Sequence, residues 1–363
     1  MKEKIKVAII ITSLNIGGAE NMVTQLVGAI SDKYDIHLIV LSSKYNNHLE
    51  EDIEKKKIKT TYLNISGKVK LKNYLKLKSV LDEFKPDILH VHLDTLYSLI
   101  WAITNNVKLI FTIHSQPYRI YNFKNKYIFH ILKLMKKIKF VGVTETITKE
   151  AIQIFKINKS DIVTIYNPVD IERFECKRSF NNIDSTIFIN IARFHKIKNH
   201  ELLIKSFKRV LNQIPNSKLL LLGDGDLRDD MIELVKSLNI QQSVIFLGNI
   251  PNTEEYLSKA DVFVLSSNSE ALPITVLEAM ASGLPIISTN VGGLSDIINK
   301  NGKLVNKKDC IALSEAMIEL AKDLDKRRMM SDKSRDIISK YDIKKISNLY
   351  EDIYLKELQN FNG

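Results

Sequence analysis

Short apolar runs alternate with helical patterns along the first half of the chain. "KVAIIIT" (6–12) is apolar at nearly every position, which predicts a strand buried on both faces. "GGAENMVTQLVGAIS" (17–31) reads as a turn leading into a helix, with Met22, Leu26, Val27 and Ile30 on one face. "DIHLIVLS" (35–42), "DILHVH" (87–92), "KLIFTIH" (108–114), "KFVGVT" (139–144) and "IVTIYNPVD" (162–170) repeat the strand pattern. Strands rich in Ile and Val, separated by helices, predict an α/β domain built on a parallel, doubly wound sheet.

A second series follows: "STIFINIA" (185–192), "SKLLLLGDG" (217–225), "SVIFLG" (243–248), "ADVFVLSS" (260–267) and "LPIISTN" (284–290). Helices are predicted over 199–213, 226–239 and 273–282, which makes this a second Rossmann-like domain. The boundary falls near 167–180, with "ECKRSFNNIDS" (175–185) as a polar linker. The predicted domains are 1–168 and 169–340. The tail "YDIKKISNLYEDIYLKELQNF" (341–361) is a helix with one apolar side. Two doubly wound domains facing each other would leave a ligand cleft between the C-terminal edges of their sheets.

Composition supports two domains: 363 residues, 45% of them hydrophobic, exceed one ordinary core. Cys176 and Cys310 lie far apart with no CxxC, which fits a reducing cytosol and no zinc site. No run of 18 apolar residues occurs, and the apolar N-terminal run flows into a glycine turn, so neither a spanning helix nor a signal peptide is expected. Charge is uneven. Residues 1–166 hold 26 Lys and Arg against 15 Asp and Glu, and the remainder holds 27 of each. The whole excess of +11 therefore lies in the first half. Residues 55–78 and 118–140 contain no acid, and the second stretch interleaves Tyr118, Tyr121, Phe123, Tyr127 and Phe129 with bases. A lysine-rich solvated face is one reading. An anionic membrane surface is the favoured partner. Nucleic acid is disfavoured, because it would leave the neutral second half unexplained.

The candidate chemistry centres on "SEALPITVLEAMASGLPI" (269–286). Glu270 precedes a helix that Pro273 would open at its first position, and Glu278 lies inside it. Eight residues of continuous helix would separate the two by ~12 Å, which argues for separate tasks rather than an acid/base pair. The helix start offers N–H groups around Ile274, Thr275 and Val276 to an anion. In "IARFHKIKNH" (191–200), Arg193 and Lys198 supply cations suited to phosphate. Gly17 and Gly18 form a strand-to-helix turn but not a GxGxxG, so a nicotinamide dinucleotide is not expected. Asp224-Gly225-Asp226 could hold a metal–diphosphate, although a strand end with Asp226 capping a helix from Leu227 is the stronger reading. His90 and His92 share one strand face, and His114 ends a strand where doubly wound sheets present ligand-binding residues. No third metal ligand for His90 and His92 is identifiable.

Together these segments resemble the retaining family 4 glycosyltransferases of the GT-B fold, over nearly the whole chain. "SNSEALPITVLEAMASGLPIISTNVGG" (267–293) resembles their E-x7-E signature. "ARFHKIKNH" resembles their phosphate loop, with Ala192 and Asn199 in place of glycines. "IYNPVDIERF" (165–174) resembles their Asn-Gly-Val-Asp turn, with Pro168 for glycine, and "GDGDL" their Gly-x-Gly-x-Leu loop. Ala271, Leu272 and Pro273 stand where the family often has Gly-Phe-Gly, a variant that resembles polysaccharide-assembly enzymes.

The resemblance implies a nucleoside-diphosphate-sugar donor, with a UDP-sugar favoured, held mainly by the second domain. Arg193 and Lys198 would take the diphosphate, Glu278 the ribose and Glu270 the sugar hydroxyls. Backbone from Leu272 to Thr275 would reach sugar or phosphate, and Gly248 and Asn249 would face the base. Gly223 would border the donor, Gly17 and Gly18 the phosphate or acceptor, and His114 the donor sugar. The resemblance further implies catalytic roles for Arg193, Lys198, Glu270 and His114, and no metal or other cofactor. It also implies a last helix (341–363) returning to the first domain, and a glycan or lipid-linked acceptor at the cytoplasmic membrane face. An epimerase of the same fold would need acid/base residues at the cleft. A glycogen-type phosphorylase would be longer and would carry a pyridoxal lysine. A silent nucleotide-sugar-binding subunit would be favoured by loss of Arg193, Lys198 or a glutamate, and all are present.

Overall fold

A computed structural model describes residues 4–65, 70–93, 96–120, 123–135, 137–177, 180 and 184–362. The backbone divides into two compact units, residues 1–168 with 343–363, and residues 169–342.

The first unit is a parallel sheet of β1 (Lys6–Ile11), β2 (Asp35–Val40), β3 (Lys59–Tyr62), β4 (Ile88–His92), β5 (Lys108–Ile113), β6 (Ile138–Gly142) and β7 (Ile162–Thr164). Its order is β3-β2-β1-β4-β5-β6-β7. The order reverses direction at β1, so the loops after β1 and β4 diverge and leave room for a ligand. Val7 through Ile11 are fully buried, as expected of a central strand covered on both faces. The last helix, Ile343–Asn362, packs on this unit. Tyr350 and Tyr354 are fully buried, and Lys108 Nζ meets Glu357 Oε2 at 3.1 Å in the interior.

The second unit has β8 (Ile187–Ile191), β9 (Lys218–Leu222), β10 (Val244–Gly248), β11 (Val262–Leu265), β12 (Ile286–Thr289) and β13 (Gly302–Val305). Their order is β10-β9-β8-β11-β12-β13, again all parallel. Its switch point lies between β8 and β11, the two strands whose following loops carry the candidate cations and Glu270. Phe188, Phe194, Leu203, Phe207, Leu221 and Val264 form the centre of its core.

Several boundaries differ from the sequence reading. β3 and β13 escaped it because each is a short edge strand, half-buried along much of its length. The predicted linker is part of the second unit: Phe180 is buried, Arg335 donates to Cys176 O at 2.7 Å, and Arg328 donates to Phe180 O at 3.1 Å. Residues 178–179 and 181–183 of it lie outside the described residues, as do 66–69, 121–122 and 136 of the basic stretches. The chain crosses between units at 168–169, where the predicted domains divide, and again at 342–343. The last helix starts at Ile343 rather than 341, because Tyr341 O accepts from Val169 N at 2.9 Å within the second unit.

Candidate active site

The second unit assembles its candidates by stitching one strand-end loop to the next. After β8, Phe194 N donates to Asp224 O (2.9 Å) in the loop after β9, and Leu227 N donates back to Phe194 O (3.1 Å). This closeness explains Gly223. With φ at +130°, its backbone disfavours a side chain, and a Cβ there would stand 2.2 Å from Ala192 O. Gly223 therefore serves packing. Phe194 is fully buried and stacks on His200 at 4.1 Å, which locks the loop between them. Asn199, in place of a family glycine, has φ at +51° and caps the helix His200–Leu211. Asn tolerates the left-handed conformation, so this departure keeps the local geometry.

The loop after β8 is also sewn to the loop after β11. Asn268 N donates to Ile197 O (2.7 Å), and Ser266 Oγ reaches Lys198 O and Asn199 O at 3.0 and 2.9 Å. Lys198 Nζ thereby meets Glu270 Oε1 at 2.6 Å, and Ser267 Oγ donates to the same oxygen at 2.5 Å. Glu270's side chain is only 9% exposed, and these two donors satisfy its enclosed Oε1. Arg193 differs. It is 60% exposed, with Asp226 at 3.8 Å. Such a surface pair holds the guanidinium weakly and leaves it available to an anion. Asp226 thus faces Arg193 and is no cap: the helix Arg228–Ser237 has Leu227 at its N-cap with no side-chain hydrogen bond.

Glu270 is fixed from behind by Gly292, which the sequence reading did not assign. Gly292 has φ at +58°, and a Cβ there would lie 1.9 Å from Glu270 O. Gly293 N donates to Ala271 O at 2.9 Å. The signal available beforehand was the Gly-Gly pair after a predicted strand. Ser267 was missed as well, since a serine beside a strand end carries no distinctive pattern.

Pro273 is the N-cap of the helix Ile274–Ala281 in extended conformation, not its first residue, and no side chain caps that end. Val276 N bonds to Pro273 O at 3.2 Å, so the amides of Ile274 and Thr275 are the ones left for an anion. The side chains of Leu272 and Ile274 are buried, so these residues offer backbone alone. Glu278 lies in the helix, 5% exposed. Burial pushes its carboxyl up to about 7, with Arg173 opposing that rise and Glu254 adding to it. Arg173 itself is paired to Glu254 at 2.9 Å. Neither Arg173 nor Glu254 stood out in the sequence. Gly248 and Asn249 lie at the end of β10, and Gly248 O accepts from Gly223 N at 2.8 Å.

The first unit presents a separate group at the C-terminal edge of its sheet. Gly17 is the extended N-cap of the helix Gly18–Ile30, so Gly18 is helical rather than part of the turn. His114 follows β5 rather than ending it. His92 Nδ1 and His114 Nε2 are 2.9 Å apart, and the rings of His90 and His92 lie 4.0 Å apart on their shared face. Desolvation holds His90 and His114 at about 3, and His92 well below its ordinary value, so all three are neutral at pH 7. Among the described residues, no group of three or more His, Cys, Asp or Glu is arranged to hold a metal ion. No described helix is long and apolar enough to cross a membrane.

Two doubly wound parallel sheets, the second with cations, a carboxylate and helix amides gathered at its switch point, define a class of α/β proteins that bind ligands at that edge. Residues 16–173 match the family described as Glycosyltransferase Family 4, and residues 173–337 match Glycosyl transferases group 1. The chain belongs to this glycosyltransferase family, with the GT-B fold. It is 29% identical over 303 residues to N-acetyl-alpha-D-glucosaminyl L-malate synthase of Bacillus anthracis, covering 78% of each. It is 25% identical over 358 residues to UDP-Gal:alpha-D-GlcNAc-diphosphoundecaprenol alpha-1,3-galactosyltransferase of Escherichia coli, covering 91% of each. Anabaena HepE, solved in complex with UDP, superposes with a TM-score of 0.81 at 17% identity, over 97% of this chain and 100% of that one.

Proposed function

We propose that the chain is a retaining, metal-independent glycosyltransferase. It moves a hexose or N-acetylhexosamine from a nucleoside-diphosphate sugar, a UDP-sugar by preference, to a hydroxyl of a glycan or lipid-linked acceptor. The observation that carries this is the Lys198–Glu270–Ser267 cluster beside the uncapped start of the helix Ile274–Ala281. A diphosphate would draw Lys198 and Arg193, and the amides of Ile274 and Thr275 would add donors without a third cation. Glu270 is held rigid enough to orient sugar hydroxyls, and Glu278 can accept from the ribose.

In the reaction the bond from the anomeric carbon to the diphosphate oxygen breaks. The acceptor oxygen bonds to that carbon from the same face, and its proton passes to the leaving diphosphate. Negative charge grows on that diphosphate, so Arg193, Lys198 and the helix start lower the barrier electrostatically.

The E. coli and B. anthracis relatives are named for a diphosphoundecaprenol-linked acceptor and for L-malate, and both acceptors are anions. The surplus of +11 in the first half suits an anionic acceptor. It equally suits an anionic membrane surface. Tyr127, Ile131 and Leu134, at helical spacing on Phe123–Leu134, are exposed, as is Met135 after them.

The test is release of UDP or GDP from a panel of sugar nucleotides, then the anomeric configuration of the product by NMR. One donor hydrolysed, an unchanged α configuration and full activity in chelator are expected. No release from any donor overturns the function; inversion, or loss in chelator, overturns the mechanism.

A further inference from the structure

We propose that His92 is a positioning residue for His114: its Nδ1–H donates to His114 Nε2 and fixes His114 as the neutral Nδ1–H tautomer. That leaves His114 with a hydrogen-bond donor for a ligand oxygen. The assignment of that oxygen to the donor sugar rests on the function proposed above.

The geometry decides where the shared proton lies. His92 Nδ1 and His114 Nε2 are 2.9 Å apart, so one of them carries hydrogen and the other a lone pair. His92 is fully buried, and its Nε2 has no hydrogen-bond partner among the described residues. If His114 donated, the proton of neutral His92 would sit on that isolated Nε2 as a buried N–H without an acceptor, the rarer defect in native proteins. With the proton on Nδ1, His92 spends its single N–H on His114, and Nε2 keeps only a lone pair. His114 then accepts at Nε2 and carries its own proton on Nδ1. His114 is partly exposed, so Nδ1 is the ring atom left for water or a ligand. The identity of the protonated nitrogen follows from the bond made by the other.

The sheet and the last helix hold this arrangement. His92 closes β4 with its ring against His90. His90 is itself pinned between Tyr354 Oη at 2.6 Å and Thr112 Oγ1 at 2.8 Å.

Two variants test the idea in the full chain. His92→Asn keeps an N–H close to the position of Nδ1, and His92→Leu removes it. Ring-nitrogen NMR of the wild type should show His114 protonated at Nδ1. It should stay so in His92→Asn and shift toward Nε2–H in His92→Leu. His114 protonated at Nε2 in the wild type, or unmoved in His92→Leu, overturns the proposal. This readout needs no substrate, so it stands apart from failure of the proposed activity. With a hydrolysed donor in hand, His92→Leu should lower kcat about tenfold, the effect of one hydrogen bond, with His92→Asn closer to wild type. In a His114→Ala background the same change should add nothing, since His92 acts through His114. An undiminished second tenfold loss overturns the positioning role.

Discussion

The two units share one architecture and hold their candidate residues by opposite means. In the second, backbone holds backbone: Phe194 to Asp224, Asn268 to Ile197, Gly293 to Ala271, Gly223 to Gly248. Lys198 and Glu270 are placed by where the main chain runs. In the first, side chains hold side chains: Tyr354 to His90, His90 to Thr112, His92 to His114, Lys108 to Glu357. A loop ladder tolerates side-chain change wherever glycine supplies the close approach. A buried side-chain network loses stability when one member goes. The first unit is therefore the more sensitive of the two to a single side-chain change.

The sharpest way to break this comparison is to remove charge from the backbone-built site. Lys198→Ala should lower donor hydrolysis about a thousandfold, because it removes a group that stabilises the leaving diphosphate and leaves the enclosed Glu270 with Ser267 alone. Circular dichroism should stay close to wild type, since Lys198's backbone bonds persist, while the melting temperature should fall because the enclosed Glu270 loses its cation. Activity within tenfold of wild type would remove the cluster from the mechanism. On the first unit, replacing both Ile131 and Leu134 by Glu should weaken sedimentation with anionic liposomes about thirtyfold and leave donor hydrolysis unchanged. Wild-type binding that ignores both salt and anionic lipid would refute the membrane reading.

A smaller effect separates the two glutamates. In the empty protein Glu278 titrates near 7 through burial. Two ribose hydroxyls would favour its ionised form and lower that value on binding. Nucleotide affinity should therefore rise with pH up to about 7 and level off above it, with proton uptake by the buffer in calorimetry. Glu278→Gln should bind about tenfold more weakly and lose the pH slope. The sign is opposite for folding. A carboxyl raised from 4.5 to about 7 favours the folded state at low pH, and that contribution fades as pH rises across the interval.

The same contrast explains what the sequence revealed. Lys198, Glu270 and Glu278 stood at recognisable spacings in loops and a helix whose local patterns were strong. The central strands, continuous in Ile and Val, were equally plain. Edge strands β3 and β13 were not, because a four-residue, half-covered strand has no period to read. The Pro273 reading erred by one position, since proline's fixed φ suits an N-cap as well as a first turn. The partners of Glu278 come from elements far from it in sequence, Arg173 and Glu254. The histidine network was beyond reach altogether: His90 and Tyr354 are 264 residues apart, and no local pattern predicts which tyrosine of an amphipathic helix will face which strand.

That network supplies the gentlest test. Tyr354→Phe removes one hydroxyl, 2.6 Å from His90 Nδ1, inside a fully buried contact between the last helix and β4. The ring still fills its space, so no cavity opens, and the cost is one hydrogen bond plus an unpaired imidazole nitrogen. Denaturant unfolding should show a loss of about 1–2 kcal/mol. Nucleotide affinity should not change, because the second unit's ladder contains none of these atoms. A loss confined to stability would support the division between the two modes of construction. A loss of nucleotide affinity with stability intact would show that the histidine side of the first unit and the backbone-built site act as one, and would undo the comparison.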